Sequence, residues 1–164
     1  IRIMKESGAH AVKLEGGKEV SESISKIINA GIPVMGHLGL TPQSIYKFGT
    51  YNVRGKNKIE ADQLIEDAQT LEKLGCFSTV LEKIPHKLSE EISKKTKFPL
   101  IGIGAGNNVD GQVLVIHDLI GLTNEFNPRF IRRYLDLNSS IKSAVSQFIK
   151  DVKSSDFPSK DEMY

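Results

Sequence analysis

Strand-like apolar runs alternate with helical patterns along most of this chain, and this alternation constrains its fold more than any other feature. The strand-like runs are residues 12–15, 32–37, 76–82, 99–102 and 113–118. The clearest helical pattern covers residues 60–74, where apolar side chains recur every three or four positions until Gly75. Strands and helices that alternate at this spacing predict a parallel sheet covered by helices, and therefore an α/β fold.

The composition is typical of a soluble globular protein and does not indicate a particular function. The 164 residues fit a single domain over residues 1–164, and 39% hydrophobic with 26% charged residues is ordinary for a soluble globular protein. A net charge of +2, with basic and acidic residues interspersed, argues against a nucleic-acid partner. No apolar run approaches the roughly 18 residues of a membrane span, so we expect no membrane partner. The single cysteine, Cys76, cannot form an internal disulfide, which favours a reducing compartment such as the cytoplasm.

The first residues predict the end of a helix. Residues 1–7 have a helical pattern, and Gly8 is typical of a C-terminal helix cap. The first residue, Ile1, is not methionine. We therefore expect that the chain begins within a helix and that an N-terminal portion is absent.

Two opposite charges stand at the end of the first strand-like run, in the sequence Val-Lys-Leu-Glu-Gly-Gly of residues 12–17. Side chains alternate faces along a strand, so Lys13 and Glu15 share one face, and Val12 and Leu14 share the other. In a parallel α/β barrel the carboxyl ends of the strands carry the catalytic groups. The functional interpretation is a cation that binds a substrate carboxylate beside an acid that binds magnesium, which favours oxygen ligands. The alternative is an exposed salt bridge, which contributes little to stability.

Glu82 and His37 end two other strand-like runs. Glu82 follows residues 79–81 at the position of a strand-end catalytic group, where a carboxylate can act as a general base. The alternative is a solvent-facing glutamate paired with Lys83. His37 can donate a hydrogen bond to a substrate or orient a carboxylate, and a histidine satisfied within the fold is an equal alternative.

Three further features favour structural interpretations. The glycines of residues 102–106 resemble a phosphate-binding loop, but Asn107 occupies the last glycine position of G-x-G-x-x-G, so a tight turn is preferred. Cys76 lies in an apolar run and is interpreted as a core residue. His117 and Asp118 form a possible metal pair, but helix capping by Asp118 is preferred.

Five segments together resemble the ketopantoate hydroxymethyltransferase family, the 3-methyl-2-oxobutanoate hydroxymethyltransferases. The segments are residues 12–17, 36–44, 80–82, 101–106 and 110–118. The likeness runs through nearly the whole chain in the right order, and the sequence Gly-His-Leu-Gly-Leu-Thr-Pro-Gln-Ser of residues 36–44 is long and specific. By resemblance, the chain is identified as the C-terminal portion of a member of this family.

The resemblance implies a fold and a reaction. Members of the family are (β/α)8 TIM barrels of the phosphoenolpyruvate/pyruvate type, and this chain would supply about the last five βα units. They transfer a hydroxymethyl group from 5,10-methylenetetrahydrofolate to 3-methyl-2-oxobutanoate, which gives 2-dehydropantoate for pantothenate synthesis. The resemblance also implies a cytoplasmic homo-oligomer, a decamer in bacterial members, with a small 2-oxo acid and folate as its ligands.

By the same resemblance, Lys13 and His37 bind the keto acid, Glu15 belongs to the Mg²⁺ site, and Glu82 accepts the proton. About the first three βα units of the family, with two metal-binding aspartates and a serine that contacts the substrate, have no counterpart in this chain. Five strands cannot close an eight-stranded barrel. We therefore expect this chain alone to lack activity and magnesium affinity.

Two alternatives to this function stay open. One is a related magnesium-dependent barrel lyase or mutase that acts on another 2-oxo acid. The other is a non-catalytic barrel remnant that serves as an oligomerisation or regulatory partner.

Overall fold

The computed structural model describes every residue from Ile1 to Tyr164. The chain forms two compact units, Ile1–Val113 and Leu114–Tyr164. The first unit contains the whole of the sheet, and the second contains two α-helices and a 3-10 turn at Lys160–Glu162. The single domain expected over residues 1–164 stays a prediction.

The first unit is built on a five-stranded parallel sheet whose strands lie in chain order. The strands are β1 (Val12–Lys13), β2 (Val34–Gly39), β3 (Ser78–Glu82), β4 (Leu100–Ile103) and β5 (Gly111–Gln112). Neighbours that follow chain order are typical of a barrel, whereas a doubly wound sheet reverses its order at a switch point. The predicted α/β fold, as part of a barrel with five strands, is therefore confirmed.

Helices connect the first four strands of the first unit, and another helix precedes β1. They are α1 (Arg2–Ser7), α2 (Ser21–Asn29), α3 (Ile45–Phe48), α4 (Lys58–Leu74) and α5 (His86–Lys95), with 3-10 turns at Lys18–Val20 and Pro42–Ser44. Gly8 ends α1 in a left-handed conformation, as predicted, and Gly75 ends α4 in the same way. Helix α4 starts two residues before its predicted start, because the side chain of Asn57 accepts the backbone N–H of Glu60 and caps the first turn.

The core of the first unit lies between the sheet and helices α2, α4 and α5. Its fully buried side chains include Ile24 of α2, Leu71 of α4, Leu81 of β3 and Ile92 of α5. A Cβ on Gly36 in β2 would lie 2.6 Å from Leu71 Cδ1. The glycine therefore lets α4 pack closely against the middle of the sheet.

The last strand differs from its prediction over residues 113–118. The fifth strand is Gly111–Gln112, and Val113 N–H donates to Gly102 O before the chain leaves the sheet. Residues 113–115 have no regular structure, and α6 (Ile116–Leu119) follows. Val115 and Ile116 are 53% and 57% exposed, so their apolar side chains are not buried against the sheet or a helix of this chain.

The second unit contains α6 and α7 (Leu137–Lys153), and α7 is capped by the Asp136 carboxylate, which accepts the Ser139 N–H. The apolar residues of 127–152 predict a mostly helical segment with six core residues: Ile131, Tyr134, Ile141, Val145, Phe148 and Val152. The core prediction is wrong for five of these residues, because Tyr134 is 67% exposed and the four residues on α7 are 44% to 53% exposed, whereas Ile131 is half-buried. The four residues on α7 form an apolar stripe, and one of them, Phe148, makes an edge-on contact with Phe157. No helix of the chain has both the length and the apolar character that a membrane span requires.

Candidate functional site

The four predicted site residues lie on one face of the sheet, at the carboxyl ends of β1, β2 and β3. The strand register explains this placement: Lys13 pairs with Met35, and His37 pairs with Val80. Paired residues of neighbouring strands share a face, and so do residues two apart in one strand. Glu82, two residues after Val80, is therefore on the same face as His37 and Lys13.

The amine of Lys13 contacts the imidazole of His37 directly, with Nζ 2.8 Å from Nδ1. Glu15 Oε1 lies 3.8 Å from Lys13 Nζ and 3.8 Å from His37 Nδ1. The carboxylate therefore stands beside an amine and an imidazole and balances the amine's charge. The Glu15 side chain is 8% exposed and the Lys13 side chain 41%, so of the two only the lysine side chain opens broadly to solvent.

The other nitrogen of His37 faces Glu82. His37 Nε2 is 2.8 Å from the carbonyl oxygen of Leu40 and 3.3 Å from Glu82 Oε2. The Lys13 ammonium can only donate, so His37 Nδ1 accepts and its proton is assigned to Nε2, which donates to Leu40 O. His37 thus links the Lys13 amine to the Glu82 carboxylate through the two sides of one ring.

Glu15 is oriented by a backbone donor that sequence reasoning missed. Its Oε2 accepts the backbone N–H of Gln43 at 2.9 Å. Gln43 is the second residue of the 3-10 turn that starts at Pro42, where backbone N–H groups have no partner within the turn. The Thr-Pro-Gln sequence of residues 41–43 could have signalled this free donor, but nothing in it points to Glu15.

Gly39 brings the end of β2 close to Glu82. Its φ of +91° lies in the left-handed region, and a Cβ there would overlap the carbonyl oxygen of Glu82. The same carbonyl accepts the Leu40 N–H at 2.8 Å. The residues 36–44 therefore supply His37, the Leu40 acceptor, the Gln43 donor and the close passage beside Glu82.

The remaining candidates lie away from these contacts. Cys76 is 5% exposed within the core, and burial raises the pKa of its thiol, which agrees with the core interpretation. Among residues 102–106, Gly106 packs against His86 with a φ of +86°, and Ala105 O accepts the Ser89 hydroxyl, as expected for a tight turn. Asp118 does not cap α6, because Val115 occupies the N-cap position, so that prediction is wrong.

The donor set of this chain does not by itself fit a magnesium ion. No group of three or more His, Cys, Asp or Glu side chains is arranged to hold a metal. Glu15 offers one carboxylate, one oxygen of which already accepts the Gln43 N–H. The nearest charged neighbour of the other oxygen is the Lys13 amine, which repels a cation.

Comparison with known proteins assigns the chain to a family. The family model described as ketopantoate hydroxymethyltransferase matches residues 1–160. The chain belongs to the ketopantoate hydroxymethyltransferase family. Within this family it is 68% identical to the 3-methyl-2-oxobutanoate hydroxymethyltransferase of Flavobacterium johnsoniae and 66% identical to that of Christiangramia forsetii. Both alignments cover all of this chain and 60% of the relative.

The family members that match are longer than this chain. The hydroxymethyltransferase of Salinibacter ruber is 56% identical, again over all of this chain and 62% of the relative. Among solved structures, the YdjI aldolase of Escherichia coli K12 has a TM-score of 0.42 at 16% identity, with 73% of this chain and 50% of that chain covered. The chain spans about 60% of the length of the ketopantoate hydroxymethyltransferases that it matches.

Proposed function

We propose that the native polypeptide carrying this chain transfers a hydroxymethyl group from 5,10-methylenetetrahydrofolate to 3-methyl-2-oxobutanoate, giving 2-dehydropantoate for pantothenate synthesis. The observation that carries this proposal is the convergence of Lys13, His37 and Glu82 on one face at the strand ends. The names of the relatives supply the transferase class and the keto acid. The folate donor is our own inference from the resemblance of the sequence.

Glu82 is the general base of the proposed reaction. The keto acid must lose a proton from the carbon beside its carbonyl, and an unprotonated carboxylate within reach of that carbon can remove it. Glu82 ends β3 with its side chain 18% exposed, so it is accessible from the open end of the sheet. The electron pair left on carbon forms a bond to the methylene carbon of the folate, and the C–N bonds of that methylene group break. Water supplies the hydroxyl of the product, and tetrahydrofolate leaves with the substrate proton and the remaining water proton on its nitrogens.

Lys13 binds the carboxylate of the keto acid, and the imidazole of His37 fixes the position of the Lys13 amine. The Lys13 amine is the open cation of the site, and an ammonium donates to a carboxylate through charge-assisted hydrogen bonds. The 2.8 Å contact with His37 Nδ1 restricts the flexible lysine side chain before the substrate arrives. This pre-organisation places the carbon to be deprotonated toward Glu82.

Magnesium is a further part of the proposal, with Glu15 as one of its ligands. The other ligands must come from outside this chain, because these residues alone do not form a site for the ion. Magnesium is bound through one or two carboxylates together with waters and substrate oxygens. When bound, the ion would draw electron density from the keto acid. We also propose a cytoplasmic homo-oligomer, the decamer of bacterial members, without nucleic-acid or membrane partners.

The chain by itself is proposed to be inactive, since it spans 60% of its relatives and lacks a complete metal donor set. This observation favours the second candidate, a non-catalytic barrel portion, for residues 1–164 in isolation. The lyase or mutase alternative differs from the transferase in the acid that it converts, so a comparison of substrates distinguishes the two.

The proposal is tested by incubating the purified native polypeptide with Mg²⁺, 5,10-methylenetetrahydrofolate and one candidate substrate at a time: 3-methyl-2-oxobutanoate, oxaloacetate or isocitrate. We expect 2-dehydropantoate from 3-methyl-2-oxobutanoate, and no turnover of oxaloacetate or isocitrate. A polypeptide consisting only of residues 1–164 should form no product. Turnover of oxaloacetate or isocitrate without 2-dehydropantoate formation would replace the transferase with the lyase or mutase.

A further inference from the structure

Asp67 is a buried carboxylate that the proposed reaction does not use. It lies in the middle of α4 and is 6% exposed, and the other buried residues of this helix are all apolar. A buried carboxylate is unfavourable unless it is hydrogen-bonded. The partners of Asp67 therefore show what it contributes to the fold.

The carboxylate of Asp67 supplies the N-terminal cap of another element. Its Oδ1 accepts the backbone N–H of Lys18 at 2.9 Å and the amide of Gln63 at 3.1 Å. Lys18 is the first residue of the 3-10 turn after β1, and Gly17 is the N-cap residue of that turn. An N-cap residue normally supplies the acceptor from its own side chain. Gly17 has no side chain, and Asp67 supplies the acceptor from a position 49 residues away from Lys18.

The space that a side chain of Gly17 would need is filled by Asp67. A Cβ built on Gly17 would overlap Cγ, Oδ1 and Cβ of Asp67. Gly17 does not have a left-handed φ, since its φ is −108°. The close approach of α4 therefore leaves no room for a side chain at the second glycine of residues 12–17.

This contact anchors the segment that carries Glu15. On one side of Glu15 the chain is fixed in the sheet, and directly after it Gly16 N–H donates to His37 O at 3.0 Å. Two residues further on, Lys18 N–H is held by Asp67. Glu15 and its following loop are thus held by β2 on one side and by α4 on the other.

We propose that Asp67 is a positioning residue that anchors residues 15–18 to α4 and so fixes Glu15 against Lys13 and His37. The role in catalysis rests on the proposed function, whereas the anchoring itself does not. The carboxylate acts through the backbone of Lys18 and touches no reacting atom.

The anchor is tested by an unfolding cycle in the native polypeptide, which needs no activity. Urea midpoints are measured for Gly17→Ala, Asp67→Gly and the double variant. We expect each single variant to lower the midpoint, and Asp67→Gly to lower it less, or to raise it, when Gly17→Ala is already present. Removing Asp67 then makes room for the new methyl group. Additive shifts of the midpoint would overturn the anchor.

The positioning role is tested by kinetics at a temperature where every variant is folded. We expect Asp67→Ala to lower kcat by about tenfold or more, because small displacements of aligned groups are costly in rate. Asp67→Asn should keep most of the activity, because its amide oxygen can still accept the Lys18 N–H. Asp62→Ala on the exposed side of α4 is the matched control and should keep the wild-type kcat.

Two kinetic results would overturn the positioning role: a wild-type kcat for Asp67→Ala, or a loss in Asp67→Asn as large as that in Asp67→Ala. If the wild-type polypeptide has no transferase activity, this contradicts the proposed function and, with it, the positioning role in catalysis. The unfolding cycle would still test whether Asp67 anchors residues 15–18.

Discussion

Lys13 Nζ lies 2.8 Å from His37 Nδ1, so the amine proposed to bind the substrate is itself held by the imidazole. His37→Gln removes this acceptor and leaves an amide that can still donate toward Leu40 O. Hydrogen bonds to charged groups contribute about 1.5–3 kcal/mol. We therefore expect the KM for the keto acid to rise by about 10- to 100-fold, as measured by steady-state kinetics on the native polypeptide.

The control for this prediction is His10→Gln, because His10 is exposed and lies outside the site. It should leave KM and kcat unchanged. An unchanged KM in His37→Gln, with the fold intact by circular dichroism, would contradict the proposed support of Lys13 by His37.

The variant Glu82→Gln tests the role of Glu82 as general base separately from substrate binding by the rest of the site. The amide keeps the size of the side chain but cannot accept the substrate proton, and general acid–base catalysis contributes about 10²- to 10⁴-fold in rate. We expect a loss of kcat in this range with little change in the free energy of unfolding. Glu91→Gln on α5 is the control, since Glu91 pairs only with Lys95 in an exposed i,i+4 contact. Isotope exchange from the keto acid into water measures the proton step alone, and normal exchange in Glu82→Gln would assign the base elsewhere.

The pH dependence of stability provides a third prediction, at Asp67. Burial raises the pKa of this carboxyl above its ordinary value, and the hydrogen bonds from Lys18 and Gln63 offset this only in part. Between the unfolded and the folded pKa the folded state binds more protons, so stability falls as the pH rises through that window. Asp67→Asn cannot ionise. Its stability relative to the wild type should therefore increase as the pH rises from about 4, and become constant above the folded pKa.

Urea midpoints of both proteins over this pH range measure the difference. Asp62→Asn, at an exposed position of the same helix, is the control for the loss of one carboxylate, and its effect is subtracted from that of Asp67→Asn at each pH. A difference between Asp67→Asn and wild type that stays constant with pH, or that decreases as the pH rises, would contradict the raised pKa.

The sequence was sufficient to predict that the four site residues converge. Lys13 and Glu15 are two residues apart, and each of His37 and Glu82 ends an apolar run, so strand pleating and parallel pairing together place them on one face. The contacts of Gln43 and Asp67 could not be predicted in this way. Both act on or through a backbone N–H, which carries no residue-specific signal, and they join positions 28 and 49 residues apart.

The errors in the predicted fold also have physical reasons. The start of the run of residues 113–118, at residues 113–116, is apolar and mostly β-branched, and a run of this length does not distinguish a strand from a short helix. Its outcome depended on where the pairing with β4 ends, at Gln112. The apolar stripe of α7 correctly predicted a helix, but the stripe alone does not say which surface covers it.

The last prediction compares two glycines with the same backbone requirement and different surroundings. Gly39 has a φ of +91° and Gly31 a φ of +81°, so an alanine at either position is strained by about 1–2 kcal/mol. A Cβ on Gly31 meets nothing within 4 Å, whereas a Cβ on Gly39 overlaps Glu82 O and lies 2.7 Å from Ile84 Cγ2. We expect Gly39→Ala to lose about 1–3 kcal/mol more than Gly31→Ala in urea unfolding, because the overlap forces β2 and β3 apart. Since Glu82 must move with its carbonyl, Gly39→Ala should also lower kcat, while folded Gly31→Ala keeps it. Equal losses of stability in the two variants would show that the passage of β2 beside Glu82 is not the constraint on Gly39.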